Sequence, residues 1–213
     1  MQIVGAETRL GAVAIKSSIP APGPLPTPRV RGQKLRGQIL RRAGELASID
    51  GLEQVSMGRL AAAMEMSKSG LYAYFTSKQD LQLATIDCAW AVFEEHVPGP
   101  ATTGAEALLE RWIAYYEREV FPGGCPFVTA GMEFANREGP VHDALAAAIG
   151  RQLATLEDAL RSERPDADDV VQLAFELYAV LTTANHRYRI SRDPAAFTQG
   201  RAAIGRILAR AGI

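Results

Sequence analysis

Residues 56–81 read Ser-Met-Gly-Arg-Leu-Ala-Ala-Ala-Met-Glu-Met-Ser-Lys-Ser-Gly-Leu-Tyr-Ala-Tyr-Phe-Thr-Ser-Lys-Gln-Asp-Leu. Three of the serines stand where a hydroxyl can accept from the first free amides of a helix. Ser56 opens a short helix to about Met64, burying Leu60, Ala61 and Met64. Ser67 opens a second, with Leu71 and Phe75 four residues apart on an inward face. Ser77 opens a third, and Asp80 three residues later completes a capping box. That helix is predicted to reach Glu95 and stop before Pro98-Gly99-Pro100. Upstream, Leu35, Ile39, Ala43, Leu46 and Ala47 share one face of a helix over 33–50, which Gly51 is suited to end. Short helices joined by a few residues describe a helix-turn-helix, although periodicity alone fits many small bundles.

With Leu71 and Phe75 turned inward, Lys68, Ser69, Tyr72 and Ala73 must face outward. A helix N-terminus bearing small side chains can approach base edges, and its free N–H groups favour a nearby phosphate. Lys78 opens its helix, where a cation is poorly matched to the dipole; a phosphate partner would resolve the mismatch. On pattern alone the alternatives are a half-buried core aromatic for Tyr72 and a solvated lysine for Lys78.

The spacing Ser67-x-x-x-Leu71-Tyr72-x-x-Phe75-x-x-Lys78-x-x-Leu81, preceded by Leu60-Ala61, closely resembles the DNA-binding domain of the TetR family, without gaps over some fifty residues. The resemblance implies an all-α protein: an N-terminal three-helix helix-turn-helix domain, then a C-terminal helical domain for ligand binding and dimerisation. It implies DNA contacts from Ser56, Arg59, Lys68, Ser69, Gly70, Tyr72, Ala73, Tyr74 and Lys78, with Tyr72 and Lys78 on phosphates. Two positions depart from the family pattern. Glu65 stands where glycine is common in the turn, so the backbone there is strained or differently shaped. Gly70 replaces a small side chain, removing a phosphate contact and loosening a short helix by roughly 1 kcal/mol. Beyond this domain the likeness lies in size and helical character, plus Gly123-Gly124-Cys125-Pro126-Phe127, which points to a subgroup of these regulators.

The charge distribution agrees. Of 213 residues, 47% are hydrophobic and 22% charged, an ordinary globular composition. The net charge of −1 conceals an asymmetry: residues 29–80 hold nine bases against five acids, and residues 81–213 twelve bases against eighteen acids. A basic first third beside an acidic remainder suits contact with a polyanion through the first third alone. Residues 20–28, Pro-Ala-Pro-Gly-Pro-Leu-Pro-Thr-Pro, cannot be regular helix, so 1–30 read as a flexible tail, with 31–92 as the DNA-binding domain and 101–213 as the regulatory one. No secretory signal or membrane-spanning stretch is present, and two cysteines make no disulfide framework, so a cytoplasmic protein is expected.

In the second part, helices are predicted over 104–121, 127–136, 140–163, 167–191 and 194–211. The 167–191 helix is apolar on more than one face, through Val170, Val171, Leu173, Ala174, Phe175, Leu177, Tyr178, Val180 and Leu181. The resemblance assigns one face to a homodimer bundle; the alternative is that a single subunit buries both. Trp112, Tyr115, Tyr116, Cys125, Phe127, Met132, Phe134, Phe175 and Tyr178 suggest an apolar cavity with few orienting groups for a small-molecule effector, although packing alone would use the same residues. Glu117, Glu119 and Glu133 hint at a neutral or cationic ligand rather than an anion, although a solvated face explains them equally well. The break at Pro122–Gly124 would let a helix shift and re-space the DNA-reading heads through the fourth helix. His96, His142 and His186 lie far apart, and no catalytic, metal-ligating or phosphate-loop pattern occurs, so neither enzyme activity nor a metal or cofactor is expected.

The leading function is therefore a DNA-binding repressor, active as a homodimer on a palindromic duplex operator and released by a small molecule. A ligand-independent regulator, or an adaptor that has lost DNA binding, is the alternative.

Overall fold

A computed structural model describes residues 28–98 and 104–213; most of the stretch read as a tail lies outside the described residues. Among these residues the protein is all-helical, without strands. α1 (Pro28–Asp50), α2 (Met57–Ala63), α3 (Lys68–Tyr72) and α4 (Lys78–His96) come first. α5 (Ala105–Glu117), α6 (Pro126–Phe134), α7 (Pro140–Glu163), α8 (Val170–Ser191) and α9 (Ala195–Ala211) follow. α1 starts inside the supposed tail. Proline loses nothing in a first turn, where its missing N–H would have no partner, and its fixed φ suits a helix start.

The serine caps form as the sequence predicts. Ser56, Ser67 and Ser77 accept from the amides of Arg59, Gly70 and Asp80 at 3.2, 3.0 and 3.0 Å. The return arm of the capping box lands one residue early: Asp80 accepts from the Thr76 amide at 2.8 Å and its hydroxyl at 3.0 Å. Glu65 takes φ 54°, so the turn between α2 and α3 keeps the left-handed shape that favours glycine, and a side chain there is strained.

α5 stops at Glu117, four residues short of the prediction, because Glu119 also turns left-handed at φ 47°. The chain then doubles back under α1. Arg41 of α1 donates to the Val120 carbonyl at 2.7 Å and lies over the Phe121 ring. Gly44 admits the edge of that ring, where an added Cβ would meet Phe121 Cε1 at 2.8 Å. Gly123 donates to Ser48 Oγ at 2.9 Å, and a Cβ on it would fall 1.9 Å from the Ser48 carbonyl. The Pro122–Gly124 break is thus no free hinge; it is seated on α1.

On the far side, α4 buries Leu81, Ile86, Ala89, Val92 and Phe93, and packs on α1 and α7. Arg201 of α9 forks onto both Glu110 and Glu117, fastening α9 to α5 with four contacts of 2.6–2.8 Å.

The Gly123 approach makes a sharp prediction. Gly123→Ala forces α1 and the loop apart, and overpacking of this kind costs roughly 1–3 kcal/mol. Thermal denaturation should show a melting point several degrees lower, whereas Gly150→Ala, at a position open to solvent in the middle of α7, should be neutral or stabilising.

Candidate nucleic-acid interface and effector core

Leu71 and Phe75, both fully buried, anchor α3, which packs on α2, and the turn after it, where Arg36 of α1 lies over the Phe75 ring; this fixes what the short helix displays. Lys68, Ser69 and Ala73 are exposed, as is Tyr72 at 48%. Gly70 and Tyr74 are half-buried. Ser69 Oγ lies 3.1 Å from the capping Ser67 Oγ. Ser56 and Arg59 are also exposed, but the Arg59 guanidinium is paired with Asp50 at the end of α1.

Lys78 has a partner that sequence reasoning missed. Its ammonium donates to Glu53 Oε1 at 2.5 Å, so a carboxylate rather than a phosphate answers the helix-dipole mismatch in the free protein. Glu53 Oε2 also accepts from Arg137 at 3.0 Å and from Gln82 at 3.4 Å. The hydrogen bond from Lys78, with the charges of Lys78 and Arg137, holds the Glu53 carboxyl below the usual carboxylate range. The Glu53 amide in turn donates to Glu133 Oε2 of α6 at 3.1 Å. Gly51 makes room for this: at φ +91° it lies under Glu133, whose Oε1 would be 2.7 Å from a Cβ.

The aromatic residues of the second group form a packed core. Trp112, Tyr115, Tyr116, Cys125, Phe127 and Phe134 are 0–6% exposed. Trp112 stands edge-on to Phe93 at 4.8 Å and to the half-buried Tyr178 at 6.0 Å. The cavity beside Phe127 measures only about 10 Å³, scarcely room for one water. Two residues expected in this core are not there. Met132 is 79% exposed and Phe175 is 62% exposed. Each lies two positions from an inward neighbour (Ala130, Leu173), which is about 200° around a helix. Val171 is exposed beside Phe175, so one apolar face of α8 stays uncovered within a single chain.

A polar thread runs through the core. Trp112 Nε1 donates to Tyr116 Oη at 2.8 Å, Tyr178 Oη donates to Gln152 Oε1 at 3.1 Å, and Gln152 Nε2 reaches Cys125 Sγ at 3.9 Å. The Tyr115 hydroxyl is buried and finds no partner. Burial pushes the phenols of Tyr115, Tyr116 and Tyr178 and the Cys125 thiol up, so all four are neutral at physiological pH. The three glutamates that hinted at a cationic ligand are engaged elsewhere: Glu117 with Arg201, Glu119 with Arg192 and Arg189, and Glu133 with the Glu53 amide. Among the described residues no group of three or more His, Cys, Asp or Glu is placed to hold a metal ion, and no helix is long and apolar enough to cross a membrane.

A short capped helix presented on a buried Leu71–Phe75 anchor defines a helix-turn-helix protein. Residues 39–85 match the model of the bacterial regulatory proteins of the tetR family, and residues 105–204 that of the tetracyclin repressor-like C-terminal domain. The chain belongs to the TetR family and is a DNA-binding transcription regulator. Among its relatives is the HTH-type transcriptional repressor NemR of Escherichia coli K12, 23% identical over 170 residues, covering 74% of this chain and 85% of NemR. A TetR regulator from Chloroflexus aurantiacus has the same fold, with a TM-score of 0.73 at 23% identity over 84% of this chain and 96% of that one. AibR, solved with isovaleryl coenzyme A and operator DNA, is similar at a TM-score of 0.58 and 23% identity, over 71% of this chain and 86% of that one.

The orphan hydroxyl is testable. A buried polar group without a partner is destabilising by roughly 1–3 kcal/mol, so Tyr115→Phe should raise stability in the free protein. Urea denaturation showing Tyr115→Phe less stable than the parent would mean that the hydroxyl has a partner in solution.

Proposed function

We propose that the protein is a cytoplasmic, non-catalytic repressor. It binds a palindromic operator as a homodimer and lets go when a small molecule enters the second group of helices. In this reading residues 31–92 are the DNA-reading unit and 101–213 the regulatory one. The observation that carries the DNA reading is the exposed face of α3, where Lys68, Ser69, Tyr72 and Ala73 stand clear over a buried anchor. Lys68, Ser69 and Gly70 meet base edges at the helix N-terminus; Tyr72 and Lys78 meet phosphates, with Ser56, Arg59, Ala73 and Tyr74 at the margins. The Gly123–Phe127 segment, whose Gly123 rests on Ser48 of α1 in this chain, is read as the mark of a subgroup of these regulators.

Dimerisation rests on the uncovered face of α8. Val171, Phe175 and Ala179 line it, and a groove of about 290 Å³ between α8 and α9, floored by Ala184 and Gly200, adjoins it. Two such faces meeting across a twofold axis bury this apolar surface and set the α3 helices about 34–36 Å apart, one turn of DNA. AibR, crystallised with an acyl coenzyme A and operator DNA, supports a sensing role for the second group of helices. In this chain the Tyr115 hydroxyl, an unpaired member of the buried polar thread with its ring against Phe93, Tyr116 and Phe121, is the polar group that an effector would satisfy. The neutrality of that thread favours an uncharged moiety, and the tight packing requires α6 to move aside.

Two measurements test this reading. Lys78→Ala should weaken binding to every duplex alike and reduce the salt slope by roughly one unit per subunit; unchanged affinity and slope would remove the phosphate role. Phe175→Asp should leave the monomer folded, since the site is exposed, but it buries an unpaired charge in the dimer, at several kcal/mol. Light scattering should then report a monomer, and operator binding should vanish at ordinary concentrations. A monomer that still holds the palindrome tightly would defeat the dimer reading.

A further inference from the structure

Glu53 is shared between one cation of the DNA-reading helices and one of the regulatory helices. Lys78 Nζ lies 2.5 Å from Oε1, and Arg137 Nη1, just after α6, lies 3.0 Å from Oε2. Arg137 is not free to wander. Its guanidinium lies over the Phe134 ring at 4.6 Å, and Phe134 is 6% exposed, with its body in the core of the second group. Glu133, one residue before Phe134, holds the Glu53 amide. A displacement of α6 therefore reaches Glu53 at two points.

We infer that Glu53 is a positioning residue that competes with DNA phosphate for Lys78, and that Arg137 sets the outcome. While Arg137 shares the carboxylate, Lys78 meets only part of its charge and can be drawn to phosphate. When α6 carries Arg137 away, the whole negative charge falls on Lys78, which is drawn off the DNA. Effector entry thus weakens DNA binding through a charge relay along Phe134, Arg137, Glu53 and Lys78, in addition to any change in the spacing of the heads. The inference rests on the phosphate role proposed for Lys78.

The three side chains are 34–45% exposed, so each pair is worth a factor of a few, compounded over two subunits. On a mixed-sequence duplex long enough for both half-sites, Glu53→Gln should bind roughly 3- to 20-fold tighter with a steeper salt dependence. Arg137→Gln should bind roughly 2- to 10-fold more weakly. A general change in net charge would give the same signs, so both substitutions are repeated in a Lys78→Met background. The relay requires both effects to disappear there; effects that persist overturn it, as does a Glu53→Gln protein that binds no tighter than the parent. Should Lys78→Met itself bind as well as the parent, the phosphate reading fails and the relay with it. A Lys78→Met protein that binds weakly, with Glu53→Gln and Arg137→Gln still active in its background, sinks the relay alone. Melting curves for each variant confirm folding, and Arg137→Gln, altering only a surface side chain, gives a readout even where Glu53→Gln disturbs the turn.

Discussion

Gly123 approaches the Ser48 carbonyl so closely that a single methyl group would overlap it. Around that contact Arg41 reaches the Val120 carbonyl and Phe121 slides beneath Gly44, so the last turns of α1 and the break after α5 form one packed unit. α1 also supplies Ile39, Ala43 and Ala47 to the core in which Leu71 and Phe75 are buried. The helix that supports the DNA-reading face is therefore the same helix that rests on the aromatic core of the second group. Packed contacts of this kind do not deform gradually; they hold one arrangement or switch to another.

This changes the route by which a signal would travel. From the sequence, α4 was the natural lever, since it joins the two groups covalently. α4 does pack on α1 and α7, with Phe93 set edge-on against Trp112. But α6 has its own access to the DNA-reading helices, through Glu133 and Arg137 on the turn between α1 and α2 and through the Gly123 loop on Ser48. A motion of α6 reaches Glu53 and Lys78 with no bending of α4.

The elements set by local chemistry were legible in the sequence. The serine caps, the inward pair Leu71 and Phe75, the stop at Gly51 and both ends of α7 follow from spacing and capping preferences within a few residues of each other. The left-handed turn at Glu65 was marked by a charged residue at a position suited to glycine. The end of α5 was missed because the left-handed Glu119 carries no such mark: its carboxylate pairs with Arg189 and Arg192, some seventy positions away. The same reason hid the partner of Lys78, 25 residues upstream, and Arg137, 84 residues beyond Glu53. Exposed ion pairs leave no periodic trace, because many charged residues suit each position almost equally well.

Met132 and Phe175 were misplaced for a different reason. An apolar residue on an apolar helix shows that some surface will be covered, without showing whether its own subunit or another covers it. Leu173, Ala174, Leu177 and Leu181 fill the intramolecular side of α8, leaving Val171 and Phe175 with no intramolecular use. Large apolar side chains rarely stand together in water without a role, and on a helix that already has a complete inner face the remaining role is association. The core residues invert this argument. Tyr115 is wholly enclosed yet its hydroxyl has no partner, so this interior, unlike an ordinary one, retains unused hydrogen-bonding capacity. An outer face with spare apolar area and an inner core with a spare polar group are opposite departures from a self-sufficient fold. In the function proposed above, a second copy of the chain would satisfy the first, and a small polar group admitted beside Tyr115 the second.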